Sequence, residues 1–345
     1  MKGLFNRFFW QPGGCVPALE NLDATHGMIG RADVTSVLRG AAGADNHPLL
    51  VVELAGGKIV GDLRLAATCD DVVIGGIQTV FACDDLPNHY ALRRRRFRVP
   101  KFHPGKALLM GAANSDNYYH WLLESVPRWK MLQAAGHQEY DHVLLPGWPA
   151  NFQDEILGRL GVPPEKWLRC DKNFVHQFER LVVPAMPFPL WQIPPWACAP
   201  ARALFPERGG GPEKIYLSRR GAARRRLVNE AELEAALEAR GFVCVRMETL
   251  PVAGQAKMFG SAKQVVSPHG AGFANLVFAP PGALLVELFH PDNRNPIYQN
   301  VAAACGLRHA SLIGDRTRKL VRHDDDRAEY VIKVADVLRL LAENA

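Results

Sequence analysis

Residues 264–289 read QVVSPHGAGFANLVFAPPGALLVELF, and the succession of residue types in them decides the class of fold. A short β-branched run (264–267) gives way to a Pro-His-Gly-Ala-Gly turn. An apolar helical stretch (271–279), a Pro-Pro-Gly break and a second apolar run (284–289) follow. Strand, helix and strand joined by tight turns make one βαβ crossover. The alternation continues on both sides. Upstream lie an apolar strand at 214–218 (KIYLS), an amphipathic helix at 229–240 stopped by Gly241, a strand at 242–246 and a helix at 251–260. Downstream come a helix at 296–305 and a strand at 308–313. Asn229 with Glu232 three residues on has the form of a capping box. The expectation is an α/β domain built on a parallel sheet.

The first half is less regular. Residues 50–54, 72–74, 107–110 and 143–145 have strand character, and the early runs follow one another without a helix between them. Helices are expected over about 116–136 and 152–160. This describes a second α/β domain preceded by a β-rich segment. Between the halves, 206–212 reads PERGGGP, a stretch that sustains neither a helix nor a strand interior. Just before it, the proline- and tryptophan-rich 184–200 reads as a rigid connection. The expected organisation is an N-terminal domain over 1–205, a linker over 206–212, a second domain over 213–327, and a segment 328–345. A helix at 328–341 in that last segment is free to pack back on the N-terminal domain.

Composition narrows the class. In 345 residues, 41 Lys+Arg against 35 Asp+Glu leave a net +6, with 48% hydrophobic and 22% charged residues. Those proportions exclude wholesale disorder. No run of about 18 uncharged apolar residues occurs, so no transmembrane helix is expected. The opening MKGLFNRFFW carries Arg7 inside its apolar stretch and lacks a small-residue cleavage site, which makes the cytoplasm the expected compartment. Seven scattered cysteines without a C-x-x-C pair argue against a disulfide framework and a structural zinc site. Cys244 and Cys305, in apolar runs, read as small buried hydrophobes. A charge of +6 is too mild for a dedicated nucleic-acid binder and fits an anionic ligand.

Four stretches carry residues suited to chemistry. In NYYHWLLESVPR (117–128), His120, Glu124 and Arg128 fall at i, i+4 and i+8 on one helix face. Imidazole and carboxylate at that spacing make a general base and its orienting partner, or a buried pair that satisfies backbone groups. Pro127 removes the bond to the Leu123 carbonyl and should kink the helix beside them. Two ligands without a third do not make a metal site. In SPHGAGFAN (267–275), Gly270 and Gly272 permit close backbone approach to a phosphate at a helix start, with His269 and Asn275 as hydrogen-bonding partners. A tight turn needing glycine for geometry alone is the alternative, and the absence of G-x-G-x-x-G speaks against a nicotinamide dinucleotide. Glu287, at the end of an apolar strand, needs a cation or a ligand, and ribose hydroxyls would suit it as well as an ion pair. After the strand at 214–218, Arg219, Arg220, Arg224, Arg225 and Arg226 leave the sheet where phosphates would sit, one or two acting and the rest solvated. Arg93–Arg96 with Arg98 read as a surface cluster, and Asp324–Asp326 as a solvated cap. No G-x-S-x-G, H-E-x-x-H or G-x-x-x-x-G-K-[ST] element occurs.

NYYHWLLESVPR, KIYLSRR followed by R-x-L-V-N-E, and SPHGAGFANLVFAPPGALLVEL resemble the glycosyltransferase family 61 domain, including bacterial capsular-polysaccharide members. The three blocks stand in the family's order over roughly 114–288, and the first hundred residues match no motif. The resemblance implies a GT-B-like architecture, two Rossmann-like domains facing a cleft. It implies an inverting, metal-independent transfer from a nucleotide-sugar donor, with no further cofactor required. The acceptor would be a hydroxyl of a glycan or a lipid-linked glycan, in surface or capsular polysaccharide synthesis. By position it places Arg219, His269, Gly270, Asn275 and Glu287 on the nucleotide side, with Arg224 and Gly272 joined to them from the residue reading. His120 and Glu124 fall on the acceptor side, without saying which takes the proton. Two other classes stay open: a catalytically silent nucleotide- or glycan-binding protein of the same fold, and a pyruvyl or phosphoryl transferase on a similar scaffold. Leu4, Phe5, Phe8 and Phe9, beside Trp10, Lys2 and Arg7, would line one side of a short helix. Residues 1–10 thus offer either a weak contact with the inner membrane face or a segment docked on the protein's own surface.

Overall fold

β-Branched and apolar runs become the strands of two separate principal sheets. The computed structural model describes residues 7–9, 14–16, 34–42, 47–61, 63, 65–74, 96–112, 114–171, 173–189, 191–222, 224–317 and 329–344. Two compact units partition the chain, Met1–Leu190 and Trp191–Ala345. The glycine-rich stretch 206–212 lies within the second.

The first unit holds an 11-stranded mixed sheet among its described residues. Its early part is made of β1 (Arg7–Phe9), β2 (Gly14–Val16), β3 (Val34–Ala42), β4 (His47–Ala55), β5 (Lys58–Val60), β6 (Leu65–Ala67) and β7 (Val72–Ile74). The later part is β8 (Arg96–Leu109), β9 (His142–Pro146), β10 (Trp167–Cys170) and β11 (Phe174–Pro184). The order β10-β9-β8-β11 is parallel throughout, while β4, β5, β6 and β7 join by antiparallel pairing. The β-rich start and α/β continuation therefore share one sheet. β1 pairs with β8 through Arg7↔Arg98, so the expected short helix is a strand at 7–9, and the rest of 1–10 lies outside the described residues. Arg93–Arg95 and Asp324–Asp326 also lie outside them.

Parallel strands β8, β9 and β10 are joined by helical crossovers, which bring the loops after β8 and β9 to one sheet edge, where α/β sheets bind ligands. The first crossover is not the single α-helix expected. An α-turn (Tyr118–His120) passes into a π-turn (Trp121–Ser125) and then α1 (Val126–Ala134). Val126 N–H donates to the Trp121 carbonyl, an i→i−5 bond. Pro127, at the second position of α1, has no N–H to give to Leu123, and the widened turn lies directly before it. The second crossover is α2 (Asn151–Arg159).

In the second unit, β12 (Lys214–Leu217), β13 (Val243–Val245), β14 (Gln264–Pro268), β15 (Leu284–Phe289) and β16 (Arg308–Ile313) form a fully parallel sheet in the order β13-β12-β14-β15-β16. The unit opens with α3 (Pro195–Leu204), so part of the stretch read as a rigid connection is helical. The crossovers are α4 (Glu230–Glu238), α5 (Val252–Phe259), a 3₁₀ segment (Ala271–Phe278) and α6 (Ile297–Ala304). The strand order reverses between β12 and β14, and that switch point is the ligand-binding position of such sheets. The 271–279 stretch was expected to be α-helical. Its eight residues instead form a 3₁₀ helix with Phe273, Ala274 and Leu276 to Phe278 all buried, packing that favours the tighter coil over propensity.

The capping box at Asn229 does not form. Its amide donates to the Ile332 carbonyl (2.8 Å) and to Glu232 Oε2 (3.2 Å), and its Oδ1 accepts from Ile332 N–H (3.1 Å). Asn229 thereby ties the start of α4 to the segment after β18 (Tyr330–Val331), which pairs with β17 (Asp315–Arg316). The last helix, α7 (Val334–Glu343), starts later than expected and buries Val337 and Leu341 in the same cluster as Tyr216, Leu233 and Val286. At about 1.5–3 kcal/mol per buried aliphatic side chain, those two anchor it to this unit. Cys170, Cys198 and Cys305 are buried free thiols, and Cys244 is half-buried.

One cluster in the first unit makes its stability depend on pH. His176 Nδ1 meets His103 Nε2 at 3.0 Å diagonally between β11 and β8, where His176 pairs with Lys101 and His103 with Phe178, and His142 and Asp171 are nearby. Burial, then the His103 and Lys101 charges, hold His176 down at about 4. A histidine depressed in the fold contributes stability above its unfolded pKa near 6.5, and loses it as pH falls towards 4. Melting temperature should therefore drop between pH 6.5 and 4, by the equivalent of about 3 kcal/mol. The drop should be shallower in His176→Leu; equal slopes for the two proteins would assign it to other groups.

Candidate functional site

In the second unit the switch point is bridged by Arg219. The residue follows β12, and its Nη1 donates to the carbonyl of His269, which follows β14, at 3.0 Å. Its backbone N–H donates to Glu230 Oε1 (2.6 Å), which also accepts from Tyr216 Oη at 3.0 Å. Glu230, buried in the first turn of α4, thus fixes the end of β12. The guanidinium is only partly used: Nη2 reaches the Arg224 carbonyl at a long 3.5 Å, and Nε has no hydrogen-bond partner among the described residues. A planar fork with donors remaining is suited to phosphate oxygens.

Gly270 is glycine for a steric reason. Its backbone is extended, and a Cβ there would overlap Arg219 Nη1. At Gly272 a Cβ would meet only Leu217 Cδ1 at 3.6 Å and Met247 Cγ at 3.7 Å, ordinary contacts. Gly270→Ala should therefore displace the guanidinium and weaken anion binding by about 1–3 kcal/mol, the range for a charged hydrogen bond. Gly272→Ala should fold with unchanged melting temperature. Calorimetry with inorganic pyrophosphate on both variants checks this; equal affinities would show that Arg219's placement does not matter. If Gly272→Ala loses binding while folded, the ligand backs onto Gly272 itself.

Glu287 lies in the second half of β15 and is fully buried. Its Oε1 meets His269 Nδ1 at 2.5 Å and its Oε2 meets His309 Nε2 at 2.9 Å. Both carboxylate oxygens are thus engaged by imidazoles, where ribose hydroxyls had been considered. His269 Nε2 meets Asn295 Nδ2 at 3.1 Å, and its ring stacks on Phe289 and leans on Tyr298. Burial and then the Glu287 charge push the Tyr298 hydroxyl pKa up, so it stays protonated. Asn275 is buried, donating to Gln255 Oε1 (2.7 Å) and to the Gly272 carbonyl (3.0 Å). It braces the 3₁₀ segment against α5, whose Gln255 donates to the Met247 and Leu250 carbonyls. Arg224 is exposed. Arg225 sits in the left-handed region at φ 53 and donates to Asn293 Oδ1 at 2.8 Å, an uncommon conformation for a non-glycine residue. Arg220 and Arg226 pair with Glu234 and Glu329.

The first unit has its own polar cluster. His120 Nδ1 and Glu124 Oε2 lie 2.9 Å apart, both buried, at the junction of the α-turn and π-turn. Tyr119 packs edge-on against the imidazole at 5.1 Å between centroids. Arg128 is fully buried and donates to the carbonyls of Gly111 (2.8 Å) and Pro184 (3.1 Å), clamping the segments after β8 and at the end of β11. Burial lowers its pKa to about 10, against the opposing pull of Glu124, so it stays cationic near neutrality. Ser125 Oγ meets Ser115 Oγ at 2.8 Å, and Gln153 of α2 donates to the Ser115 carbonyl at 2.8 Å. The loop after β8, the π-turn and α2 are thereby one bonded framework under the pair.

The residues read from sequence thus fall into two groups. His120 and Glu124 meet in the first unit, with Arg128 beside them. Arg219, His269, Gly270 and Glu287 meet in the second, while Gly272 and Asn275 lie behind that cluster and Arg224 at its exposed edge. Asn295 and His309 were not found from sequence, since nothing local marks them, and Glu230, the last residue of the R-x-L-V-N-E block, carried no assigned role there. Among the described residues no group of three or more His, Cys, Asp or Glu is disposed to hold a metal ion, and no helix is long and apolar enough to cross a membrane.

Comparison with known proteins bears on these same residues. Residues 118–286 match the family model described as Glycosyltransferase 61. A Tetraodon nigroviridis protein O-linked-mannose beta-1,4-N-acetylglucosaminyltransferase 2 is 35% identical over 127 residues, 34% of this chain and 22% of that protein. A Drosophila melanogaster EGF domain-specific O-linked N-acetylglucosamine transferase is 35% identical over 97 residues, 27% of this chain and 18% of that protein. The matched stretches span about a fifth of these relatives' lengths.

Proposed function

Because its segment 118–286 belongs to the glycosyltransferase 61 family, we propose that this chain transfers a sugar from a nucleotide-sugar donor to a glycan hydroxyl. What supports this most is Arg219 at the switch point of the second sheet, lying over Gly270 with guanidinium donors unspent. In the proposed reaction the acceptor oxygen attacks the anomeric carbon in a single inverting displacement. The new C–O bond forms as the bond to the diphosphate breaks, and the hydroxyl proton passes to the first unit's polar pair. Glu124, the more deeply buried partner, accepts from His120 Nδ1–H, which leaves the lone pair on Nε2 as the basic position. Arg219 meets the charge that develops on the departing diphosphate, with N–H groups at the start of the 271–278 segment adding to it. No metal or other cofactor is required by that scheme.

The proposal takes from the family resemblance a GT-B arrangement, in which one domain serves the donor and the other the acceptor. It also takes cytoplasmic work in surface or capsular polysaccharide synthesis, on a glycan or lipid-linked glycan. The two relatives' names add N-acetylglucosamine as the first donor sugar to test, with protein-linked glycans as the other acceptor class. Incubating the protein with a panel of nucleotide sugars and following nucleoside diphosphate release by mass spectrometry is the test. Release with one donor, stimulated by a glycan acceptor, is expected. Binding of nucleotide without release under any acceptor would instead mark a silent binding protein.

A further inference from the structure

We propose that His309 is a positioning residue of the diphosphate site, acting through Glu287 and His269 on Arg219, a role that rests on the donor-binding function proposed above. Hydrogen-bond bookkeeping fixes the arrangement. Ile297 N–H donates to Asn295 Oδ1 at 3.2 Å, so the Asn295 amide must turn its NH₂ towards His269 Nε2 at 3.1 Å. A nitrogen that receives an N–H carries a lone pair, which puts the His269 proton on Nδ1. From there it is donated to Glu287 Oε1 at 2.5 Å. The other carboxylate oxygen accepts the His309 Nε2–H at 2.9 Å. Glu287 is fully buried, where a carboxylate persists only if donors satisfy it, and each imidazole supplies one.

His269 therefore has no nitrogen left to hold a ligand. What it offers instead is its carbonyl, which receives Arg219 Nη1 at 3.0 Å, while its own N–H is tied to the Leu288 carbonyl at 2.9 Å. The ring is held by Phe289 at 5.4 Å and Tyr298 at 5.2 Å between centroids, so it cannot turn without losing both nitrogen contacts. The string runs side by side across the sheet: His309 on β16, Glu287 on β15, His269 after β14 and Arg219 after β12, four neighbours in strand order. The His309 side chain, at the other end from Arg219, is 14% exposed. It also lies beyond the segment that matches the family. Its removal leaves Glu287 with one bare oxygen, frees the carboxylate to rotate, and loosens the carbonyl against which the guanidinium is aimed.

Titration calorimetry of the full chain with inorganic pyrophosphate, and with uridine and guanosine diphosphates, tests the proposal. In protein that remains folded, His309→Ala should weaken diphosphate binding about tenfold and lower the melting temperature through the bare Glu287 oxygen, and His309→Gln, which keeps a donor, should recover most of both losses. A folded His309→Ala protein with wild-type affinity overturns it, as does a loss that Gln does not repair. Should His309→Ala fail to fold, nitrogen-15 spectra of the wild-type imidazoles decide. His269 is expected in the Nδ1–H form, and finding the proton on Nε2 overturns the assignment. A wild-type protein that binds none of the three probes overturns the donor-binding function itself and this role with it, a result distinct from binding that is indifferent to His309.

Discussion

His120→Ala lowers turnover by about 10²–10⁴-fold in protein that remains folded, the range for loss of a general base. The expectation comes from geometry rather than spacing alone. The imidazole is buried, its Nδ1 is 2.9 Å from a carboxylate that is itself 2% exposed, and both stand where the helix widens into a π-turn. Such turns are rare and concentrate at functional positions. Glu124→Ala should cost a similar factor, because the carboxylate is the group that holds the proton on Nδ1. The double variant should be little worse than the more damaging single, since two groups that act as one unit are not additive. Binding of nucleotide should be unaffected, since the residues assigned to it belong to the second unit.

A buried pair with no chemical task makes a different forecast. Each single variant would then lose about 1–3 kcal/mol of stability through the unpaired partner left behind. Activity would fall only with the folded fraction. Measuring melting temperature and turnover on the same samples separates the two. Folded variants that bind nucleotide and turn over at near-normal rates would defeat the dyad.

What the sequence made legible was local. The βαβ rhythm of 214–313 follows from apolar runs and turns, and the strands there fall within a residue or two of where the pattern puts them. The His120–Glu124 contact follows from i, i+4 spacing and holds at 2.9 Å even though Glu124 lies inside the π-turn. What escaped was set by strand order. His309 is 22 residues from Glu287, and only the parallel pairing of β15 with β16 places them on one face. Asn295 reaches His269 from the loop after β15, and Glu230 reaches Arg219 from the first turn of α4. The capping motif at Asn229 misled for the same reason: a distant partner, Ile332, took the side chain that local rules assigned to the helix. Glu287 shows the limit most clearly. Its type and strand-end position marked it as needing partners, but not that two histidines would supply them.

Arg219→Ala should depress turnover by about 10²–10³-fold, the cost of removing one preorganised donor from a developing charge. The KM for acceptor should move little, because the residue belongs to the donor side. Lysine should rescue poorly. In the present arrangement Nη1 is committed to the His269 carbonyl while Nη2, held only by a long 3.5 Å contact to the Arg224 carbonyl, can turn a donor to a phosphate oxygen, and the plane of the group keeps both directions fixed at once. A single ammonium on a flexible stem must choose between the carbonyl and the anion. Arg219→Lys should therefore retain part of the diphosphate affinity, which depends on charge, and lose most of kcat, which depends on alignment. Arg224 provides the control. It is exposed, and its backbone carbonyl lies 3.5 Å from Arg219 Nη2, a contact that does not involve its side chain, so Arg224→Lys should stay within about threefold of wild type, an effect under 1 kcal/mol. Steady-state kinetics on the donor identified by nucleoside diphosphate release decides the matter. Full activity in both lysine variants would move the leaving-group role elsewhere, with Arg225, strained at φ 53 and bonded to Asn293, the next residue to test.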